Sequence, residues 1–180
     1  IKNEEILSKD VGPGNCLIDQ WIKLKSKKNY DKNGNIAKAG KVNKIILDQA
    51  LDIFTNSSLY EKKSYDTKDF DLSFVRGLSL EDGAATLTEF TAEILSKKIS
   101  GNLIYVCGGG RKNYYLIERI EKKINNTIHQ IEELNINGDF VESQAFAYLA
   151  IRSKLNLPIS FPETTGCAKP VSGGLIVNNF

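Results

Sequence analysis

Apolar residues recur along the chain in two patterns that predict two kinds of element. Apolar positions spaced roughly three or four residues apart predict helices at about 16–24, 42–54, 80–98, 113–124 and 139–155. Short apolar or alternating runs predict strands at 4–9, 103–107 and 127–131. Because strands alternate with helices, the pattern predicts an α/β fold with a parallel sheet.

The same patterns predict which side chains face the core. The inward-facing residues are Leu17, Ile18, Trp21, Leu24, Val42, Ile45, Ile46, Ile53, Phe54, Ala84, Leu87, Thr91, Ile94, Leu95, Leu116, Ile117, Ile120, Ile124, Val141, Ala145, Phe146, Leu149 and Ala150. The continuous run at 103–107 is typical of a fully buried parallel strand. Asn15 and Ser79 are predicted helix N-caps, and Gly101 is a predicted helix stop.

Composition adds little to this picture but excludes some classes of protein. With 180 residues, of which 41% are hydrophobic and 26% charged, the chain is typical of one globular domain. A net charge of +2 is too small to favour nucleic acid or a membrane surface as a partner. The apolar runs are far shorter than the roughly 18 residues that a membrane span needs.

Metal and disulfide chemistry is not indicated. The cysteines Cys16, Cys107 and Cys167 have no C-x-x-C spacing, which predicts reduced thiols in a cytoplasmic protein. The polar stretch after Asp31 lacks the glycine and glutamate positions of an EF-hand. We therefore expect no metal site built from protein ligands alone, and the single histidine, His129, is expected to be structural.

The first turn of the chain combines a carboxylate with an anion-binding geometry. Asp10 stands at its start, and Gly12 and Gly14 bend the backbone just before a helix. The first amides of that helix carry the positive end of its dipole, which suits a phosphate group. The turn therefore offers a candidate general base, Asp10, beside a candidate phosphate site that includes Asn15, although a capped turn with a surface aspartate is also consistent with it.

A second glycine turn lies downstream. Gly108, Gly109 and Gly110 follow the predicted strand at 103–107 and precede a helix that starts near Asn113. A strand, a glycine turn and a helix N-terminus are a common arrangement for nucleotide binding, although loops also use glycine freely. Arg111 and Lys112 could add positive charge near phosphates, although solvent-exposed side chains are the main expectation. No Walker P-loop and no G-x-S-x-G motif occurs, which excludes P-loop kinases and serine hydrolases of that type.

These stretches resemble one family. D-V-G-P-G-N-C-L-I-D-Q-W, Y-D-K-N-G-N-I-A-K-A-G, D-G-A-A-T-L-T-E-F-T-A, Y-V-C-G-G-G-R-K-N and G-D-F-V-E-S-Q-A-F-A-Y-L-A are similar to motifs of the anhydro-N-acetylmuramic acid kinases, in the same order. The resemblance implies the C-terminal part of the sugar kinase, actin and heat-shock ATPase (ribonuclease H-like) fold. It covers nearly all of residues 1–180, as a C-terminal nucleotide-binding and catalytic-base domain without the N-terminal domain.

The resemblance implies an activity and roles for several residues. In such kinases ATP, magnesium and water convert 1,6-anhydro-N-acetylmuramic acid into N-acetylmuramic acid 6-phosphate, a step of peptidoglycan recycling in the cytoplasm. Asp10 would be the general base and Glu142 a substrate contact, although Glu142 also suits a helix-dipole role. The nucleotide would contact Gly12, Gly14, Asn15, Gly108, Gly109, Gly110 and Asn113, with magnesium bridging the phosphates.

Two departures from the family pattern limit this interpretation. Asp66 and Thr67 replace the glycine and arginine of the family's K-S-x-G-R-x-x-F segment, and the chain opens at Ile1 without the G-T-S-x-D-G-x-D phosphate loop. The expected partners are therefore sugar, ATP, a missing N-terminal half and a second copy in a homodimer, and the fragment alone is expected to be inactive. A non-catalytic remnant or nucleotide-binding module of a split kinase, and another N-acetylhexosamine kinase of the same fold, remain as alternatives.

Overall fold

The computed structural model describes residues 8–57, 60, 64–175 and 177. Its α-helices are α1 Cys16–Lys25, α2 Asn35–Ala39, α3 Lys44–Thr55, α4 Leu80–Ser96, α5 Tyr114–Ile124, α6 Val141–Lys154 and α7 Pro162–Thr165, and its strands are β1 Ile104–Val106 and β2 Ile128–Gln130. Short 3-10 turns lie at Lys32–Gly34, Thr67–Asp69, Ser73–Val75, Gly109–Lys112 and Ile131–Leu134. The predicted strand at 4–9 lies largely outside the described residues.

The chain divides into two units, one spanning residues 10–138 and the other comprising residues 1–9 and 139–180. In the first unit, β1 and β2 pair in parallel with Ile104 opposite Ile128, and α5 connects them. This confirms a mixed α/β architecture with a small parallel sheet. None of the helices formed by the described residues has the length and apolarity required of a transmembrane helix.

Helix α4 lies at the centre of the first unit. It packs against α1, α2, α3 and α5, so every residue from 83 to 92 is buried. Such close contacts need small side chains: a Cβ on Gly83 would lie 2.4 Å from the Trp21 ring. The Trp21 indole N–H donates to the carbonyl of Leu80 at 2.9 Å, and the Ser79 hydroxyl accepts the N–H of Asp82, as its predicted N-cap role requires.

Several burial predictions are wrong. Leu24, Ile45 and Ile53 are exposed by 62%, 73% and 73%, whereas Ile22 and Leu47 are buried instead, so the buried stripes of α1 and α3 are rotated from the predicted ones. β1 is half-buried rather than fully buried. α4 ends at Ser96, before Gly101, and the second predicted helix is preceded by the separate helix α2.

The largest difference concerns α6 in the second unit. The sequence predicts an apolar face made of Val141, Ala145, Phe146, Leu149 and Ala150, yet no residue of α6 is buried. Phe146 is exposed by 64%. The helix forms as predicted, but its apolar side chains have no core to enter within the described residues.

Candidate functional site

The first turn leads directly into α1. The carbonyl of Pro13 accepts the N–H of Cys16 at 3.0 Å, and the helix begins there. A Cβ on Gly12 would lie 2.9 Å from the Leu95 side chain, so glycine lets the turn lie close against α4. Gly14 has φ +54°, which a residue with a Cβ rarely adopts. Both glycines therefore have a structural reason to be glycine.

Asp10 is exposed and is oriented by Ser64. The N–H of Asp10 donates to Ser64 Oγ at 3.0 Å, and the Ser64 hydroxyl donates to Asp10 Oδ2 at 3.0 Å. The N–H of Tyr65 donates to the carbonyl of Asp10 at 2.9 Å. Because Tyr65 is buried against Phe54 and Phe70, this loop anchors Asp10 to the aromatic part of the core. No local sequence pattern predicted this orienting role of Ser64.

The second turn ends at the N-terminus of α5. Gly108 has φ +74°, and a 3-10 turn follows over Gly109–Lys112. Asn113 is the N-cap of α5, since its Oδ1 accepts the N–H of Leu116 at 3.1 Å. A Cβ on Gly109 or Gly110 would meet no atom within 4 Å, and neither residue has a positive φ. Neither packing nor backbone conformation within the described chain explains these two glycines.

A buried asparagine joins the two turns. Asn113 is only 3% exposed, and its Nδ2 donates to Asn15 Oδ1 at 3.0 Å. The predicted N-cap position of Asn15 is confirmed, but its side chain makes no capping bond to α1 and accepts the hydrogen bond from Asn113 instead. The two turns, which lie far apart in the sequence, meet through this amide pair.

A cleft of about 610 Å³ opens beside the joined turns. Its lining residues are Asn15, Asp19, Lys23, Asn29, Tyr30, Asp31, Lys32, Asn33, Gly109, Gly110, Lys112 and Asn113. Asp10 is not among them. The structure thus brings Asn15, Gly109, Gly110 and Asn113 together in one cleft, while Asp10 stands at the start of the same turn, held by Ser64.

The loop at 29–33 forms a wall of this cleft that the sequence did not predict. Asp31 is 4% exposed, and its Oδ1 and Oδ2 accept the N–H groups of Ile36 and Ala37 at 2.8 and 2.9 Å. Gly34 has φ +73°, and a Cβ there would lie 2.3 Å from Asn113 Oδ1. The loop therefore packs directly on the N-cap of α5. Its glycine and polar residues were visible in the sequence, but their contact with Asn113 was not.

Charges of both signs line the cleft. Lys23, Lys32 and Lys112 supply positive charge, which suits a phosphorylated ligand. Burial raises the pKa of Asp19, and the neighbouring Asp31 adds to that effect while Lys23 opposes it. In the described ranges no three histidine, cysteine, aspartate or glutamate residues group as a metal site. Asp19 and Asp31 are the carboxylates that line the cleft.

The sequence also made predictions about Arg111 and Glu142, and the structure tests only the first. Arg111 was expected to be exposed, but it is buried to 6% exposure because its guanidinium pairs with Glu132. Glu142 is exposed in the first turn of α6. Its part in substrate binding stays a prediction, as do the roles of Asp10 and of the glycines in catalysis and nucleotide binding.

Comparison with known proteins identifies the family. The family model described as anhydro-N-acetylmuramic acid kinase matches residues 1–179. Proteins with that name are 50% identical in Pelagibacter ubique, 41% in Zymomonas mobilis and 39% in Caulobacter vibrioides, over 99%, 96% and 97% of this chain. The alignments cover 50%, 48% and 48% of those relatives, so the chain spans about half of their length. The chain belongs to the anhydro-N-acetylmuramic acid kinase family.

Proposed function

We propose that this chain supplies the C-terminal half of an ATP-dependent kinase that opens 1,6-anhydro-N-acetylmuramic acid with water and forms N-acetylmuramic acid 6-phosphate. The observation that carries the proposal is the hydrogen bond between Asn113 and Asn15, which unites the two motif turns at one cleft. All three relatives named above carry the same kinase name, which favours this sugar over another N-acetylhexosamine.

The nucleotide would occupy the cleft between the turns. Gly109 and Gly110 leave room for a ligand to approach the backbone, and α1 directs its first N–H groups toward the turn that contains Gly12 and Gly14. The cleft lysines would neutralise phosphate charge. Magnesium, when bound, would neutralise the charge that develops on the phosphates during transfer, and Asp19 is a cleft carboxylate that could help to hold it.

Asp10 would act as the general base. In the proposed reaction its carboxylate takes a proton from the water that attacks the anomeric carbon, the bond from that carbon to O6 breaks, and O6 accepts the γ-phosphoryl group. The Ser64 hydroxyl holds one carboxylate oxygen of Asp10 at 3.0 Å, which restricts the orientation of the base. A positioned base contributes about 10²–10⁴-fold to such a step.

The complete reaction would need residues that this chain does not contain. The curated relatives are about twice as long, and we propose that their other half supplies a further phosphate loop and much of the sugar pocket. The 180-residue chain alone is then inactive. In this proposal the whole enzyme has the sugar kinase, actin and heat-shock ATPase fold, works in the cytoplasm in peptidoglycan recycling, and pairs as a homodimer, with Glu142 contacting substrate.

The test uses the chain joined to an N-terminal half from a relative. Asp10→Asn should lower turnover by about 10²–10⁴-fold and leave ADP binding unchanged, because the amide cannot accept the proton but keeps the shape of the side chain. Asp48→Asn, at an exposed position of α3, is the matched control and should keep full turnover. Turnover of the Asp10 variant at the control's rate would refute the general-base role.

A further inference from the structure

We infer that the ion pair between Arg111 and Glu132, called the lock below, holds the triple-glycine turn at 108–110 in its observed conformation. Arg111 is then a positioning residue for the ligand of that turn. The part of this inference that concerns the ligand rests on the proposed function, because that function assigns a nucleotide to the cleft. The part that concerns the turn itself rests on contacts within residues 108–138 alone.

Arg111 uses its whole guanidinium within the protein. Its Nε and one terminal nitrogen contact Glu132 Oε1 at 3.0 and 2.8 Å, and its other terminal nitrogen donates to the carbonyl of Gly108 at 2.9 Å. The Arg111 side chain is 7% exposed, whereas that of Glu132 is 44% exposed. The guanidinium group of Arg111 is therefore directed away from solvent and into the turn, where Glu132 neutralises its charge.

The lock closes around Gly108. The N–H of Gly108 donates to the carbonyl of Gly138 at 3.0 Å, and the N–H of Gly138 donates to Glu132 Oε1 at 3.2 Å. With Arg111 on its carbonyl, Gly108 has both of its peptide groups held while it adopts φ +74°. Gly109 and Gly110, the next two residues, line the cleft. The lock therefore fixes Gly108, the residue immediately before the two glycines that line the cleft.

Gly138 lies close against the Arg111–Glu132 pair. A Cβ on Gly138 would lie 2.6 Å from Arg111 Nε and 3.0 Å from Glu132 Oε1. Hydrogen bonding from Arg111 also lowers the pKa of Glu132. A lysine could not replace Arg111, because a single ammonium group cannot reach the three positions that the planar fork reaches.

The first experiment measures the turn without any ligand. In the 180-residue chain, amide hydrogen exchange at Gly108, Arg111 and Asn113 should quicken at least about tenfold in Glu132→Ala, which is the scale of one lost charge-assisted hydrogen bond. Glu132→Gln keeps an oxygen acceptor, so its exchange rates should rise less than those of Glu132→Ala. Arg111→Lys should also exchange faster than wild type at these three amides. Exchange at wild-type rates in Glu132→Ala and Arg111→Lys would overturn the lock.

A matched control separates this lock from ion pairs in general. Arg119 makes a two-contact pair with Glu89 at 2.6 and 2.8 Å, between α5 and α4. Arg119→Lys should lower overall stability while the exchange of the three turn amides stays as in wild type under strongly folding conditions. Equal acceleration of the turn in Arg119→Lys and Arg111→Lys would assign the effect to stability alone and overturn the inference.

The second experiment measures ADP affinity by calorimetry on the same variants and on wild type, each joined to the N-terminal half of a relative. We expect Glu132→Ala and Arg111→Lys to bind ADP at least about tenfold more weakly than wild type, and Arg119→Lys to bind as wild type does. Equal affinity in the lock variants would overturn the ligand part of the inference. A wild-type chain that binds no ADP would contradict the proposed nucleotide site instead, and the exchange data would then decide the lock alone.

Discussion

Helices α4 and α6 have similar sequence patterns and opposite environments. Both carry alanine-rich apolar faces that resemble family motifs, yet residues 83–92 of α4 are all buried and no residue of α6 is. α4 is surrounded by α1, α2, α3 and α5. An apolar stripe therefore predicts a helix well, whereas the burial of that stripe depends on which neighbouring elements the rest of the protein supplies.

The largest effect should come from the charges on α4. Glu89 is 6% exposed and pairs with Arg119 and Lys123, so Glu89→Ala removes the carboxylate that Arg119 pairs with and leaves Lys123 paired with Glu93 alone. Loss of a partner from a buried ion pair costs about 3–5 kcal/mol of unfolding free energy. Glu142→Ala, on the exposed face of α6, should cost less than about 1 kcal/mol. Urea unfolding followed by circular dichroism measures both values, and equal losses would contradict the contrast between the helices.

The pH dependence of the unfolding free energy should depend on the same ion pairs of Glu89 with Arg119 and Lys123. Burial works to raise the pKa of Glu89, but hydrogen bonds from Arg119 and Lys123 outweigh it and lower the pKa below 4.5. A lowered folded-state pKa stabilises the protein above the unfolded value, and that stabilisation is lost as pH falls through the folded-state value. Between neutral pH and about pH 3, wild type should therefore lose more unfolding free energy than Glu89→Gln, and parallel pH profiles would show that the network contributes nothing.

An isoleucine pair compares the helices without any charge. Ile94 on α4 is 3% exposed and Ile151 on α6 is 60% exposed. Ile94→Ala should cost about 2–5 kcal/mol because it removes buried methyl groups and leaves a cavity, whereas Ile151→Ala should stay within about 0.5 kcal/mol. Urea midpoints and slopes give the two values. A cost for Ile151→Ala that approached that of Ile94→Ala would mean that α6 is covered in solution.

The smallest expected effect concerns the first turn of each helix. Ser79 accepts the N–H of Asp82 at 3.1 Å and caps α4, whereas the Ser143 hydroxyl of α6 donates to the carbonyl of Phe140 on the surface. Ser79→Ala should cost about 1 kcal/mol through loss of the cap. Ser143→Ala should change stability by less than about 0.5 kcal/mol. Thermal unfolding of both variants tests this, and a larger shift for Ser143→Ala would reverse the comparison.

Local sequence patterns predicted helices α1, α3, α4, α5 and α6, the parallel strand pair and the two glycine turns, because spacing, caps and glycine conformations act over a few neighbouring residues. The short helices α2 and α7 were not predicted. The sequence also carried the family motifs. Tertiary packing determines the other contacts: the Asn113 side chain binds that of Asn15, the Ser64 hydroxyl holds Asp10, and the Arg111 side chain turns inward to Glu132. Asn15 and Asn113, Asp10 and Ser64, and Arg111 and Glu132 lie 98, 54 and 21 residues apart in the chain, so no local pattern encodes these pairings and they form only when the chain packs around α4.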